Sequence, residues 1–157
     1  MKSNFISKRE TSEVLKAIFD QWKITLPKCK NLKMFEIKNY IIFTSDGFYV
    51  IKINNIFIPS LLSLDILKRF AHVTIDMNAI KFICNGANIM RPGIINFTKF
   101  AKDDIVCVID KAHNKFLAVG KSVISSEEMQ NKSKGIVIKN LHHIGDTFWE
   151  SMKFEIN

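Results

Sequence analysis

The sequence predicts an α+β fold in two units, and three observations predict it. An amphipathic helical pattern opens the chain behind a capping box, and two β-branched and aromatic runs flank Asp46-Gly47. Beyond residue 73 the pattern changes to short strand-like runs separated by polar turns. The 157 residues suffice for two small units, and 47% apolar with 24% charged residues is a globular composition.

Ser7-Lys8-Arg9-Glu10 reads as the capping box, with Ser7 as N-cap and Glu10 reaching back to it. Val14, Leu15, Ile18, Phe19 and Trp22 then fall on one helical face, and the helix must end before Pro27. Lys8, Arg9, Lys16 and Lys23 lie off that stripe and are expected in water. Residues 32–38 alternate weakly, as a strand does. Residues 40–53 carry the clearest local signal, because Asp46-Gly47 tolerates the positive φ of a tight hairpin turn. Pro59 stands where the first turn of a helix would begin, with Leu61, Leu62, Leu64, Leu67 and Phe70 as its apolar face. Residues 1–72 thus read as helix, antiparallel sheet, helix.

No Gly/Pro/Ser linker marks a boundary near residue 73, so units 1–73 and 74–157 are expected to pack together. Asp76 can cap a short helix over 77–85, which Gly86 ends. Strands are expected over 105–109, 116–123, 136–141 and 148–154, with a polar turn at 110–115. Short strands at this spacing suggest a sandwich or small barrel.

The net charge is +8 and the isoelectric point about 9.4. Such a surplus favours a polyanionic partner, whether RNA, DNA or an acidic membrane face, although many basic proteins bind nothing anionic. Residues 1–73 hold 12 Lys and Arg against 6 Asp and Glu; residues 74–157 hold 11 against 9. The first part is therefore expected to do more of the long-range steering. Cys29, Cys84 and Cys107 are odd in number, widely spaced and free of any CxxC, which points to reduced thiols in the cytosol. The N-terminal stretch lacks the apolar core of a signal peptide, and no apolar run reaches the ~18 residues needed to span a bilayer. The expected address is cytoplasmic, with no membrane partner.

No catalytic constellation can be assembled. Adjacent residues on a strand point to opposite faces, so His142-His143 reads as one packed and one exposed histidine rather than a metal pair. No Cys or carboxylate cluster completes a ligand set, and no metal or cofactor is expected. Cys84, within Phe82-Ile83-Cys84, reads as core rather than nucleophile. Asp103-Asp104 reads as a solvated turn, since an acid/base pair needs opposed carboxylates in different environments. Gly86-Ala87-Asn88 fits neither the P-loop nor the dinucleotide-binding pattern. Arg91-Pro92-Gly93 leaves two readings open. The rigid turn either holds a guanidinium towards a phosphate or base, or is a turn with a solvated arginine. Lys81, Lys99 and Lys102 either extend a basic patch or form a solvated face. No aromatic platform of the RNP type is present, so RNA would be read by shape and backbone.

The string from Asn78-Ala79-Ile80-Lys81-Phe82-Ile83-Cys84-Asn85-Gly86-Ala87-Asn88-Ile89-Met90-Arg91-Pro92-Gly93 to Ile94 resembles the opening of a PUA domain, the domain of pseudouridine synthases and archaeosine transglycosylases. Asp104-Ile105-Val106, Ala118-Val119-Gly120, Ser125-Ser126-Glu127-Glu128-Met129 and Lys134-Gly135-Ile136 follow in that domain's order. Leu141-His142-His143-Ile144-Gly145-Asp146 with Trp149 resembles its closing segment. The opening and closing strings, with Ile56-Phe57-Ile58-Pro59-Ser60-Leu61 in the first part, resemble the malignant T-cell-amplified sequence family and its archaeal stand-alone relatives. The likeness is tight over 76–150 and loose over 1–72.

That resemblance implies a pre-PUA α+β domain followed by a PUA pseudo-barrel of short mixed strands. It also implies a non-catalytic RNA-binding protein of translation. Its RNA would be a tRNA acceptor end or ribosomal RNA, and its partners the small ribosomal subunit and a density-regulated-protein-like chain, in initiation, reinitiation or recycling. Carried onto this sequence, the groove would comprise Lys81, Gly86, Ala87, Asn88, Arg91 and Gly93, with Lys99 extending its charge and the region of His142 near its far wall. Two other roles are weighed beside it. One is an accessory RNA-binding subunit of a tRNA-modifying enzyme, which would act in trans because no catalytic domain precedes residue 1. The other is a protein-interaction adaptor.

Overall fold

The computed structural model describes residues 2–153. The chain divides into Met1–Arg69 and Phe70–Asn157. The strand Ala71–Ile75 pairs with Ile105–Asp110 and belongs to the second sheet.

The first unit runs β1 (Lys2–Phe5), α1 (Lys8–Trp22), β2 (Lys33–Ile37), β3 (Tyr40–Ser45), β4 (Phe48–Ile53), β5 (Ile56–Pro59) and α2 (Leu64–Leu67). Its sheet is antiparallel in the order β1-β2-β3-β4-β5. The capping box forms as the sequence predicts. The Ser7 hydroxyl accepts the Glu10 N–H at 3.0 Å, and the Glu10 carboxylate accepts the Ser7 N–H at 3.4 Å. Lys23, at φ 58°, closes the helix by donating its N–H to Phe19 O. Ile18 and Trp22 are buried and Val14 and Leu15 half-buried, but Phe19 is 44% exposed, because Thr11 completes the inward stripe instead. The end of α1 covers the outer edge of β5. Trp22 Nε1 donates to Phe57 O at 2.7 Å, while the Gln21 amide accepts the Phe57 N–H and donates to Asn55 O. These bonds satisfy backbone groups that an open edge would expose.

In the hairpin between β3 and β4 only Gly47 takes a positive φ, at 91°. Pro59 ends β5 opposite Val50 rather than opening a helix. An edge strand tolerates a residue without an N–H, so the proline that suggested a helix start suits this place equally. The helix itself is short, Leu64–Leu67. Strand β1 was not expected, since none of its four residues is buried and nothing in them alternates.

The second unit runs β6 (Ala71–Ile75), a 3-10 turn (Met77–Ala79), α3 (Ile80–Ile83), β7 (Ile89–Met90), a second 3-10 turn (Arg91–Gly93), β8 (Ile94–Phe97), β9 (Ile105–Asp110), β10 (Phe116–Ser122), α4 (Ser126–Gln130), β11 (Ile136–His143) and α5 (Thr147–Ser151). Its sheet has the order β7-β11-β10-β9-β6-β8, antiparallel except between β6 and β9. The chain is thus α+β, and this sheet curls into a half-barrel around Val73, Ile75, Val106, Val108, Ile138 and Met129. The expected helix over 77–85 divides into a 3-10 turn and α3. The strand expected over 148–154 is instead helix α5, with Phe154 outside the described residues. The Asp146 carboxylate accepts the Trp149 N–H at 2.8 Å and caps this helix, a local bond that outweighs the β propensity of Phe148 and Trp149. No disulfide joins the three cysteines; Cys107 is buried, and Cys29 and Cys84 are half-buried.

Candidate nucleic-acid interface

The candidate site is built between Asp76 and Gly93. Asp76 accepts the Asn78 N–H on its carboxylate at 2.8 Å and donates its own N–H to Gly93 O at 2.8 Å. The start of the helical segment is thereby tied to the Arg91–Gly93 turn. Helix α3 sends Ile83 into the core and leaves Lys81 and Phe82 outside. At Gly86 the chain takes φ 95°, and His143 Nε2 lies 3.4 Å from where a Cβ would stand, so backbone strain and the imidazole both favour glycine. Beneath this loop Asn140 donates its amide to Ile83 O and Ala87 O, while its backbone N–H is accepted by Asn88 Oδ1. Asn140 Oδ1 is buried and has no hydrogen-bond partner among the described residues. His143 Nδ1 lies 2.9 Å from Ile144 O; a carbonyl only accepts, so Nδ1 carries the proton.

These bonds hold open a cleft of about 470 Å³, lined by Ala79, Phe82, Ala87, Asn88, Met90, Pro92 and Gly93 among others. Phe82 is 64% exposed and Met90 46%. Much of the lining is apolar side chain, and a slot of this kind suits the flat face of an unstacked base.

Of the residues singled out in the sequence, Ala87, Asn88 and Gly93 line the cleft, Gly86 shapes its loop, and Lys81 is exposed on α3 beside Phe82. The other three stand elsewhere. Arg91 is half-buried, and its guanidinium is engaged by the fold itself. Nε donates to Met129 O and Lys132 O at 2.9 and 3.0 Å, and Nη1 to Ile94 O at 3.2 Å. Lys99 borders a different cleft, of about 290 Å³, with Phe97, Ser126, Glu127 and Gln130. His142 has no exposed surface. Its Nδ1 is 2.8 Å from Asp146 Oδ2 and its ring meets Phe148 edge-on at 5.8 Å, so it cannot form a groove wall.

Sequence reasoning missed Phe82, Met90, Asn140 and His143. Phe82 falls off the stripe made by Ile80, Ile83 and Cys84, and an apolar ring off the stripe was the available signal. Asn140 stands between Lys139 and Leu141 in a strand of mixed polarity, with no local signal to mark it.

Burial would raise the Asp146 carboxyl, but the hydrogen bond and charge of His142, with the N–H groups of Trp149 and His143, hold it below its ordinary value. Burial pushes the Cys84 thiol up against the opposing charge of Lys115, the reverse of what a nucleophile needs. Among the described residues no cluster of His, Cys, Asp and Glu is placed to hold a metal ion. No helix among them is long and apolar enough to cross a membrane.

The PUA domain profile matches residues 71–144, the stretch that contains the cleft. The chain is 34% identical over 154 residues to an uncharacterized protein of Methanocaldococcus jannaschii, covering 94% of this chain and 95% of that one. It is 30% identical over 136 residues to translation machinery-associated protein 20 of Saccharomyces cerevisiae, covering 81% and 71%. With malignant T-cell-amplified sequence 1 of Rattus norvegicus it shares 34% over 88 residues, covering 54% of this chain and 48% of that one, so the match spans about half of that relative. Its fold resembles the crystal structure of a hypothetical protein of Pyrococcus horikoshii, with a TM-score of 0.79 at 24% identity over 95% of this chain and 98% of the other. The chain belongs to the family of PUA-domain proteins that includes translation machinery-associated protein 20 and the malignant T-cell-amplified sequence proteins.

Proposed function

We propose that the protein binds RNA without catalysing a reaction and acts in translation. Its ligand is a tRNA acceptor end or small-subunit rRNA, and its step is initiation, reinitiation or recycling. The observation that carries this reading is Phe82: an aromatic ring 64% exposed, beside Lys81, on the wall of a cleft inside the PUA segment. An exposed ring offers a stacking surface to a base from a single strand, and an adjacent lysine offers charge to its phosphate. The net charge of +8 supports a polyanionic ligand. The names of the translation machinery-associated relatives support the cellular role. In this reading the protein works in the cytoplasm on the small ribosomal subunit, with a partner of the density-regulated kind.

The test is binding to deacylated tRNA, intact and trimmed of its 3′ CCA, across a salt series. We expect affinity that falls steeply with salt and drops on trimming. Phe82→Ala should weaken binding of intact tRNA at least about fivefold, the lower end for one stacked base, and leave trimmed tRNA unaffected. Binding that ignores both the CCA end and Phe82 would remove the groove assignment. No binding at low salt would turn the reading to a protein adaptor, whose partners survive nuclease treatment.

A further inference from the structure

The first unit carries a second patch that the PUA cleft does not explain. Phe5, at the end of β1, is 68% exposed. Its neighbour across the strand pair is Lys33, whose ammonium lies 5.8 Å from the Phe5 ring centroid and 5.1 Å from that of Phe35. Beside Phe5 lies a cleft of about 380 Å³ lined also by Lys28, Cys29, Lys30, Asn31, Ser45 and Asp46. Lys28 and Lys30 are exposed, and neither is in an ion pair among the described residues. Asp46 is the only acidic side chain of that lining.

We infer that this patch is a second RNA contact, which takes a single-stranded segment. A solvated aromatic ring is costly to leave in water. A cation held over one face of the ring adds positive charge there, and the 68% exposure of Phe5 leaves ring surface for a base. Two lysines in the adjoining cleft supply the point charges that follow a phosphate backbone. Stacking ring and basic groove together make the elementary single-strand site, one tolerant of sequence because every base has a flat face. Charge complementarity selects the occupant: residues 1–73 carry 12 basic against 6 acidic side chains, and an apolar protein segment would gain nothing from Lys28 and Lys30. The inference takes RNA, rather than another polyanion, from the proposed function, but places it on different residues.

The experiment uses the full chain and a labelled single-stranded RNA of about 12 nucleotides without a CCA end, a length within the span of known single-strand sites. Fluorescence anisotropy across a salt series compares wild type, Phe5→Ala, the pair Lys28→Gln with Lys30→Gln, and Phe19→Ala. The altered side chains of all three variants are solvent-exposed, and far-UV circular dichroism checks that each variant is folded. Phe5→Ala is expected to weaken binding at least about fivefold. The double lysine variant should reduce the slope of log affinity against log salt by about 1.4, the value for two phosphate contacts on a single strand. Phe19→Ala, which removes an exposed ring outside both clefts, should bind this probe like wild type. Wild-type affinity and slope in both the Phe5 and the lysine variants would overturn the second contact while leaving the PUA cleft standing. Loss in those variants together with tRNA binding indifferent to Phe82 would keep the second contact and overturn the cleft. A wild-type chain that binds neither RNA would overturn both.

Discussion

Arg91 stands at the start of the second 3-10 turn with its side chain half-buried. Its place before Pro92 and Gly93 reads as an exposed cation on a rigid turn. A charge so placed could be reversed to glutamate with lost RNA affinity and little lost stability. Folded, the guanidinium instead satisfies three carbonyls, two of them at the end of α4 and just beyond it. Arg91→Gln should therefore destabilise the second unit by about 1–3 kcal/mol, the cost of leaving partly buried acceptors without their charged donor. Urea denaturation followed by circular dichroism checks this, and an unchanged midpoint would return Arg91 to the surface. His142 teaches the same lesson. The residue expected near a groove wall is a packed ring bound to the carboxylate that caps α5.

At the scale of elements, α1 was readable almost residue by residue, because caps and the 3.6-residue stripe are local properties. What it does for the sheet was not readable. The edge of β5 is closed by Gln21 and Trp22, which lie 36 and 35 residues away from Phe57 in sequence. Trp22→Phe keeps the aromatic volume and removes the indole N–H, leaving the Phe57 carbonyl without that donor in a buried setting. The expected loss is about 1–3 kcal/mol, seen as a lower urea midpoint with an unchanged slope. A midpoint equal to wild type would show that the edge needs no such cover. Strand β1 was illegible for a related reason. Its four exposed residues carry no alternation, and only the pairing with β2 makes them a strand.

For the whole molecule, buried titratable groups set limits on stability at both ends of the pH scale. Asp146 has a depressed carboxyl. Its contribution is present above the unfolded-state value of about 3.9 and is lost as pH falls through the lower folded value. Cys107 is fully buried and its thiol is pushed far up by desolvation. That contribution is complete below the unfolded-state value of about 8.5 and is progressively lost as pH rises from there towards the folded value. Stability should therefore fall as pH drops below the first limit and as it rises above the second. Asp146→Asn should flatten the acid limb alone, and Cys107→Ala the alkaline limb alone, as measured by denaturant midpoints across pH. An acid limb unaltered in Asp146→Asn would assign it to other carboxylates.

The sequence by itself determined the class of the chain, α1 and its cap, the central hairpin, the three long strands of the second unit and the stretch in which the cleft lies. Each depends on short-range periodicity, on turn chemistry or on a motif written in consecutive residues. Only the tertiary structure decided which side chains reach the cleft. Lys81, Gly86, Ala87, Asn88 and Gly93 are at or beside it, whereas Arg91, Lys99 and His142 are used or placed elsewhere. The physical reason is that a side chain goes to whichever partners satisfy it best. For Arg91 those are carbonyls 38 and 41 residues along the chain, at a distance no local pattern records.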